Sequence, residues 1–333
     1  MAPFVCSSRR VFSALLVHGC SPQSISVGQL DGGNDGGPIG PRKPNVMLLV
    51  DKSGSVNFAA DETVATCTPR CNQTGQLTCA PTCPTRLQAL KSAMASFLPA
   101  NSSRAWLGLA IFPTAVASGG VVDACGATSS GDVLVALDPK STDLDADLTA
   151  ASAAVNNRLQ NLTVGGGTPT GESLKFLANY APLLDPSPAS PRDDFVLLIT
   201  DGLPNCNSSN AKNCNDVAAC KCTLTPATAC TPASFCTQGC LDDNSTVGAV
   251  QALRNKGIKT IVVGFGAETA TGDGPATLNA MSVEGGFART CADVDAGCGS
   301  GDPCDPASRL CSRKYYQATT EAELRAVLEE VFR

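Results

Sequence analysis

The sequence predicts an α/β chain: a six-stranded, mostly parallel sheet, doubly wound by helices on both faces, with one antiparallel edge strand. Three observations carry this expectation. Short, uniformly apolar runs recur along the 333 residues, the signature of strands buried on both faces. Segments with helical spacing lie between them, and alternating strand and helix builds a parallel sheet covered on both sides. One connection, between Phe112 and Val133, is Gly- and Ser-rich and lacks a helix, which allows the third strand to return antiparallel at an edge.

In order, strands are expected at Asn45 to Val50 (NVMLLV), Trp106 to Phe112 (WLGLAIF), Val133 to Leu137, Phe195 to Thr200 (FVLLIT), Ile258 to Phe265 (IKTIVVGF) and Tyr315 to Ala318. Helices are expected at Arg86 to Leu98, Leu144 to Leu162, Gly171 to Tyr180, Thr246 to Lys256 and Glu321 to Phe332. The last begins with a Thr320 cap and two acids, Glu321 and Glu323, and turns Leu324, Val327, Leu328 and Val331 inward. Trp106, the single Trp, falls in an apolar strand and reads as core.

Residues 1–20 read as an export signal. Arg9 and Arg10 precede the apolar stretch Val11 to Val17, and Gly19 precedes Cys20, in the order of positive, apolar and small-residue regions. Cys20 resembles the lipidated cysteine of bacterial lipoproteins, so an envelope lipoprotein is expected, with plain secretion as the alternative. The following Gly-, Pro- and Ser-rich stretch, residues 21–44, lacks the apolar side chains that would repay ordering and reads as a flexible linker. Residues 45–333 then form the folded domain, with membrane attachment only through the lipid.

With Cys6 and Cys20 assigned to the leader and the lipid, sixteen of the 18 cysteines remain. That even number suits a disulfide framework in an oxidising compartment. They cluster in inserts at about 61–84, 203–243 and 287–313, with Cys125 alone between them. If each group of four closes on itself, the seven from Cys206 to Cys240 must share a partner with Cys125. The rival reading of Cys67, Cys71, Cys79 and Cys83 is a four-thiolate zinc site.

Composition also excludes chemistry. The only histidine, His18, lies in the expected leader, so the domain has none for Ser-His-Asp or Cys-His catalysis, nor for a histidine metal site. A net charge of -6 and a pI near 4.9, with no basic run, argue against a nucleic-acid partner. What remains is oxygen. Asp51, Ser53 and Ser55 close the first strand as Asp-x-Ser-x-Ser, Gly165 to Gly171 (GGGTPTG) opens a helix, and Thr200-Asp201-Gly202 closes the fourth strand. In a parallel sheet the first and fourth strands can be neighbours, and two carboxylates meeting there repel unless a cation or proton intervenes. Oxygens of Asp51, Ser53, Ser55 and Thr168, with Asp201 acting directly or through water, suit Mg2+ or Mn2+.

The ordered combination of DxSxS, GGT and TDG over roughly residues 44 to 333 resembles the von Willebrand factor A domain, a Rossmann-like fold, and its metal-ion-dependent adhesion site. The resemblance implies that Asp51, Ser53, Ser55 and Thr168 ligate the ion and that Asp201 holds a water ligand. It further implies that an open position takes an acidic side chain from a protein partner. The expected function is therefore a metal-dependent adhesion module on the cell envelope and not an enzyme, since no general base stands out near the motif. The alternatives are a structural envelope component with an incidental metal site and a metal-dependent hydrolase. Asp293 to Gly297 begins like a calcium loop, but Cys304 stands where a bidentate Glu is needed. Gly264-Phe265-Gly266 lacks the third glycine of a dinucleotide site.

Overall fold

The computed structural model describes residues 42–64, 67, 83–114, 125–140, 142–184, 192–207, 209, 220–224, 230, 239–294 and 297–332. Its centre is a six-stranded sheet in the order β3-β2-β1-β4-β5-β6. The strands are β1 (Asn45–Asp51), β2 (Trp106–Phe112), β3 (Val133–Val135), β4 (Asp194–Thr200), β5 (Ile258–Phe265) and β6 (Tyr316–Ala318). Five run parallel, and β3 pairs antiparallel with β2 through Leu109 opposite Val135. The third strand is shorter than its apolar run: Leu137 lies beyond its end yet is only 3% exposed, so the run continues as core after the hydrogen-bonded pairing stops.

β1 is buried at every residue because both faces are covered. Val46, Leu48 and Val50 face one core, which they share with α1 (Arg86–Ala100) and with Leu324, Leu328 and Val331 of a C-terminal helix. Met47 and Leu49 face a second core, filled from α3 (Thr170–Leu177), α4 (Asp243–Arg254) and α5 (Gly274–Glu284). This is the period-two alternation of a strand with helices on both sides. Helix α2 (Asp145–Gln160) contributes Leu148 to the second core and Val155 and Leu159 to the first, so it spans the β2–β3 edge.

Caps set the helix ends. The Thr85 side chain accepts from Gln88 N–H at 3.2 Å, and the Gln88 side chain accepts from Thr85 N–H at 2.8 Å, a reciprocal capping box at the start of α1. Thr320 accepts from Glu323 N–H at the start of α6 (Glu321–Val331). Helix α5 was not foreseen in the sequence. Its apolar residues do not gather into one stripe, although Pro275 in the first turn is a recognised start signal.

Lys43 and Pro44, placed by composition at the end of the linker, are tied to the domain. Lys43 N–H donates to Asp143 at 2.9 Å, and the Pro44 carbonyl accepts from Trp106 N–H at 2.9 Å. Trp106 is 3% exposed, and its indole N–H donates to Asp143 at 2.8 Å. Cys20 and most of the expected leader and linker lie outside the described residues, as do Cys71 and Cys79.

Six disulfides join described cysteines: Cys67–Cys83, Cys125–Cys206, Cys220–Cys240, Cys222–Cys230, Cys291–Cys304 and Cys298–Cys311. Bonds at this density form and persist outside a reducing cytoplasm. Among the described residues no helix is long and apolar enough to cross a membrane.

Candidate metal centre

β1 and β4 lie side by side with Val50 opposite Ile199, so the chain leaves both strands at the same edge, where Asp51 and Asp201 follow. Asp51 is 1% and Asp201 2% exposed. After Asp51 the chain turns because the Ser53 N–H donates to Asp51 Oδ1 at 2.8 Å. The turn puts the Ser53 and Ser55 hydroxyls 3.0 Å apart, and Ser55 Oγ donates to Asp201 Oδ1 at 2.8 Å. Thr200 Oγ1 donates to Asp51 Oδ2 at 2.7 Å. Four of the five sequence-derived candidates are thus linked by direct hydrogen bonds.

The fifth, Thr168, arrives on a separate loop that the backbone laces to the first turn. Gly165 N–H donates to the Lys52 carbonyl and Gly54 N–H to the Gly166 carbonyl, both at 2.9 Å. A Cβ built on Gly202 would stand 3.4 Å from Ser55 Oγ and 3.7 Å from Thr168 Oγ1, so both hydroxyls border the same point. Beneath the loop, Thr168 N–H donates to Asn205 Oδ1 at 2.7 Å, and Asn205 N–H donates to the Thr168 carbonyl at 2.8 Å.

Within the glycine run the tight position is Gly167. A Cβ there would lie 2.4 Å from Cys206 Sγ and 3.4 Å from Cys125 Sγ. What presses on the loop is therefore the Cys125–Cys206 disulfide. It joins loops 81 residues apart against Gly167, the residue before Thr168.

The electrostatics follow from burial. Burial pushes the Asp51 carboxyl above the usual carboxylate range, opposed by the Ser53 N–H and the Thr200 hydroxyl. Burial likewise pushes Asp201 up to about 7; the Arg86 charge pulls the other way and the Asp51 charge adds to the rise. Lys52, between Asp51 and Ser53, is 6% exposed. Burial lowers its ammonium below the ordinary value, against the opposing charges of Asp132 and Asp51.

Sequence reasoning missed Asn205 and, more consequentially, Arg86. Arg86 is fully buried, donates from Nη1 to Asp201 Oδ2 at 2.9 Å, and pairs through Nη2 with Glu62 at 2.7 Å and with Glu268. Burial would lower its pKa, but the three carboxylates outweigh that and hold it charged. A signal was present: Arg86 is the first residue of α1, where a positive charge opposes the helix dipole. A cation there needs a reason outside the helix.

The donor set is that of a hard divalent cation. Every candidate offers oxygen, two are buried carboxylates that repel each other, and hydroxyls fill the space between them. Among the described residues, one other cluster gathers metal-type ligands: Cys298, Asp302 and Cys311. Its thiols are consumed in a disulfide, and Asp302 accepts from Arg289 at 2.7 Å.

No protein-family model and no curated protein matches the sequence. Solved structures similar to the chain include the PilB minor pilin from Streptococcus sanguinis, at 18% identity and TM-score 0.42, covering 89% of this chain and 62% of that one. The pilus adhesin SpaC from Lactobacillus rhamnosus GG follows at 13% identity and TM-score 0.44, covering 87% of this chain and 30% of that one. A manganese-loaded TRAP protein of Plasmodium vivax shares 14% identity at TM-score 0.40, covering 87% and 73%. The chain thus spans less than two thirds of the length of either pilus protein. At these identities and scores the site's own geometry, and not its neighbours, carries the function.

Proposed function

We propose that the chain is a metal-dependent binding module of the von Willebrand factor A type, exported to the cell envelope and held there by a lipid on Cys20. In this reading Asp51, Ser53, Ser55 and Thr168 hold Mg2+ or Mn2+ directly, and Asp201 holds it through a water. When bound, the ion supplies a concentrated positive charge that accepts a carboxylate from a partner protein. The observation that carries this reading is the continuous chain from Asp51 through Ser53 and Ser55 to Asp201, two buried acids bridged by hydroxyls at the strand ends.

The protein's own residues do the rest. Thr200 and the Ser53 N–H orient Asp51. Asn205 and the Cys125–Cys206 bridge fix the height of Thr168. Of the described insert residues, Glu62 binds Arg86 beside Asp201 and Cys206 packs against Gly167 next to Thr168, so both border the face that a partner would meet. The test is binding of native envelope proteins to immobilised chain in Mg2+ and in EDTA. Capture that needs the ion, and that free acetate competes away, supports the reading. Capture indifferent to EDTA contradicts it.

A further inference from the structure

Arg86 is expensive where it stands. A guanidinium at 0% exposure loses its water, and as the first residue of α1 it also opposes the helix dipole. The surroundings are shaped to admit it. Phe58 lies 5.6 Å from the guanidinium carbon. Gly266, at φ +114°, packs so closely that a Cβ there would reach 2.5 Å from Arg86 Nε. One Nη binds Asp201 Oδ2 and the Asp201 carbonyl, and the other binds Glu62 and Glu268.

A cation beside an acid of a cation site works against ion affinity, so tighter metal binding does not explain it. The two oxygens of Asp201 are divided: Oδ1 accepts from Ser55 inside the hydroxyl chain, whereas Oδ2 is taken by Arg86 on the far side. The geometry points to Arg86 as a positioning residue that withholds Asp201 Oδ2 from the ion and offsets its negative charge, so that a carboxylate from the partner supplies what the site lacks. This rests on the ion-site reading above. It adds that the site gives up ion affinity in exchange for affinity toward an acidic ligand.

The prediction has an unusual sign. Removing Arg86 strengthens ion binding and weakens carboxylate binding, whereas loss of a merely structural support weakens both. Calorimetric titration of Mn2+, followed by acetate titration of the Mn2+-loaded protein, reads both affinities. The first variant is Arg86→Met with Glu268→Gln, which leaves the total charge unchanged. Mn2+ affinity is expected to rise about tenfold and acetate affinity to fall about tenfold, well within what one unit charge at this range can do.

The second variant, Glu268→Gln, alters a side chain 23% exposed and leaves the Arg86 charge less compensated. It is expected to move both affinities the opposite way, Mn2+ binding weaker and acetate tighter. A folded double variant with unchanged or weaker Mn2+ binding overturns the proposal. So does a Glu268→Gln variant whose acetate affinity stays constant or falls, even if the double variant does not fold. A wild-type chain that takes up no Mn2+ sinks the underlying ion site instead, and the two failures are distinct.

Discussion

Replacing Asp201 with Asn isolates the cost of crowding two carboxylates in one buried place. The substitution keeps the shape and the hydrogen bonds: the Asn oxygen accepts from Arg86 Nη1, and its amide N–H donates to Ser55 Oγ, the two groups that Asp201 now meets. Burial pushes the Asp201 carboxyl up to about 7 in the folded chain, from an ordinary 3.8. Below pH 3.8 the carboxyl is neutral in both states and contributes no difference. Between 3.8 and about 7 the unfolded chain ionises first, so stability falls as pH rises, and above about 7 the loss is complete. Roughly three pH units at about 1.4 kcal/mol each give about 4 kcal/mol. At about 2 °C per kcal/mol for a large chain, metal-free Asp201→Asn should melt about 8 °C above wild type at pH 8 and close to it at pH 4. Scanning calorimetry in EDTA at both pH values measures this directly. Added Mg2+ should then narrow the gap, since ligand at a hundred times its Kd stabilises wild type by about 2.7 kcal/mol. A variant that melts at or below wild type at pH 8 in EDTA refutes the account of the paired acids.

Two further outcomes concern the loop that carries Thr168. Gly167→Ala drives a methyl to 2.4 Å from Cys206 Sγ; overpacking of this kind costs about 1–3 kcal/mol, and the displaced Thr168 should weaken Mn2+ binding in the same calorimetric titration. Replacing Cys125 and Cys206 together by Ala opens a loop of 81 residues and should cost about 2–4 kcal/mol in a denaturant melt. Ion affinity should fall with it. Full Mn2+ affinity in that double variant would show that the bridge is remote from the site in effect.

Much of the fold was legible because apolar runs that must be buried on both faces have few alternatives. NVMLLV, WLGLAIF and FVLLIT all became central strands, and the helix-free connection before Val133 does lead to an antiparallel edge. Helix α5 escaped because its inward residues, Leu278 and Met281, are set among small and polar ones, which leaves too faint a stripe for periodicity to register. The candidate oxygens were legible for a different reason: Asp, Ser and Thr at strand ends are conspicuous where apolar residues stop. Arg86 and Asn205 were not, because each acts across 115 and 37 residues of chain, and neither residue type stands out where it occurs. Only the misfit of a cation at a helix start pointed to Arg86, and nothing local marked Asn205.

The central claim is that Asp51, Ser53, Ser55, Thr168 and Asp201 form one divalent-cation site. Calorimetric titration of Mn2+ into the wild-type chain and into Asp51→Ala at pH 7, with near-ultraviolet circular dichroism to confirm that both are folded, tests it most directly. The account predicts one saturable site in wild type and none in the folded variant. Equal Mn2+ affinity in the two proteins would contradict it.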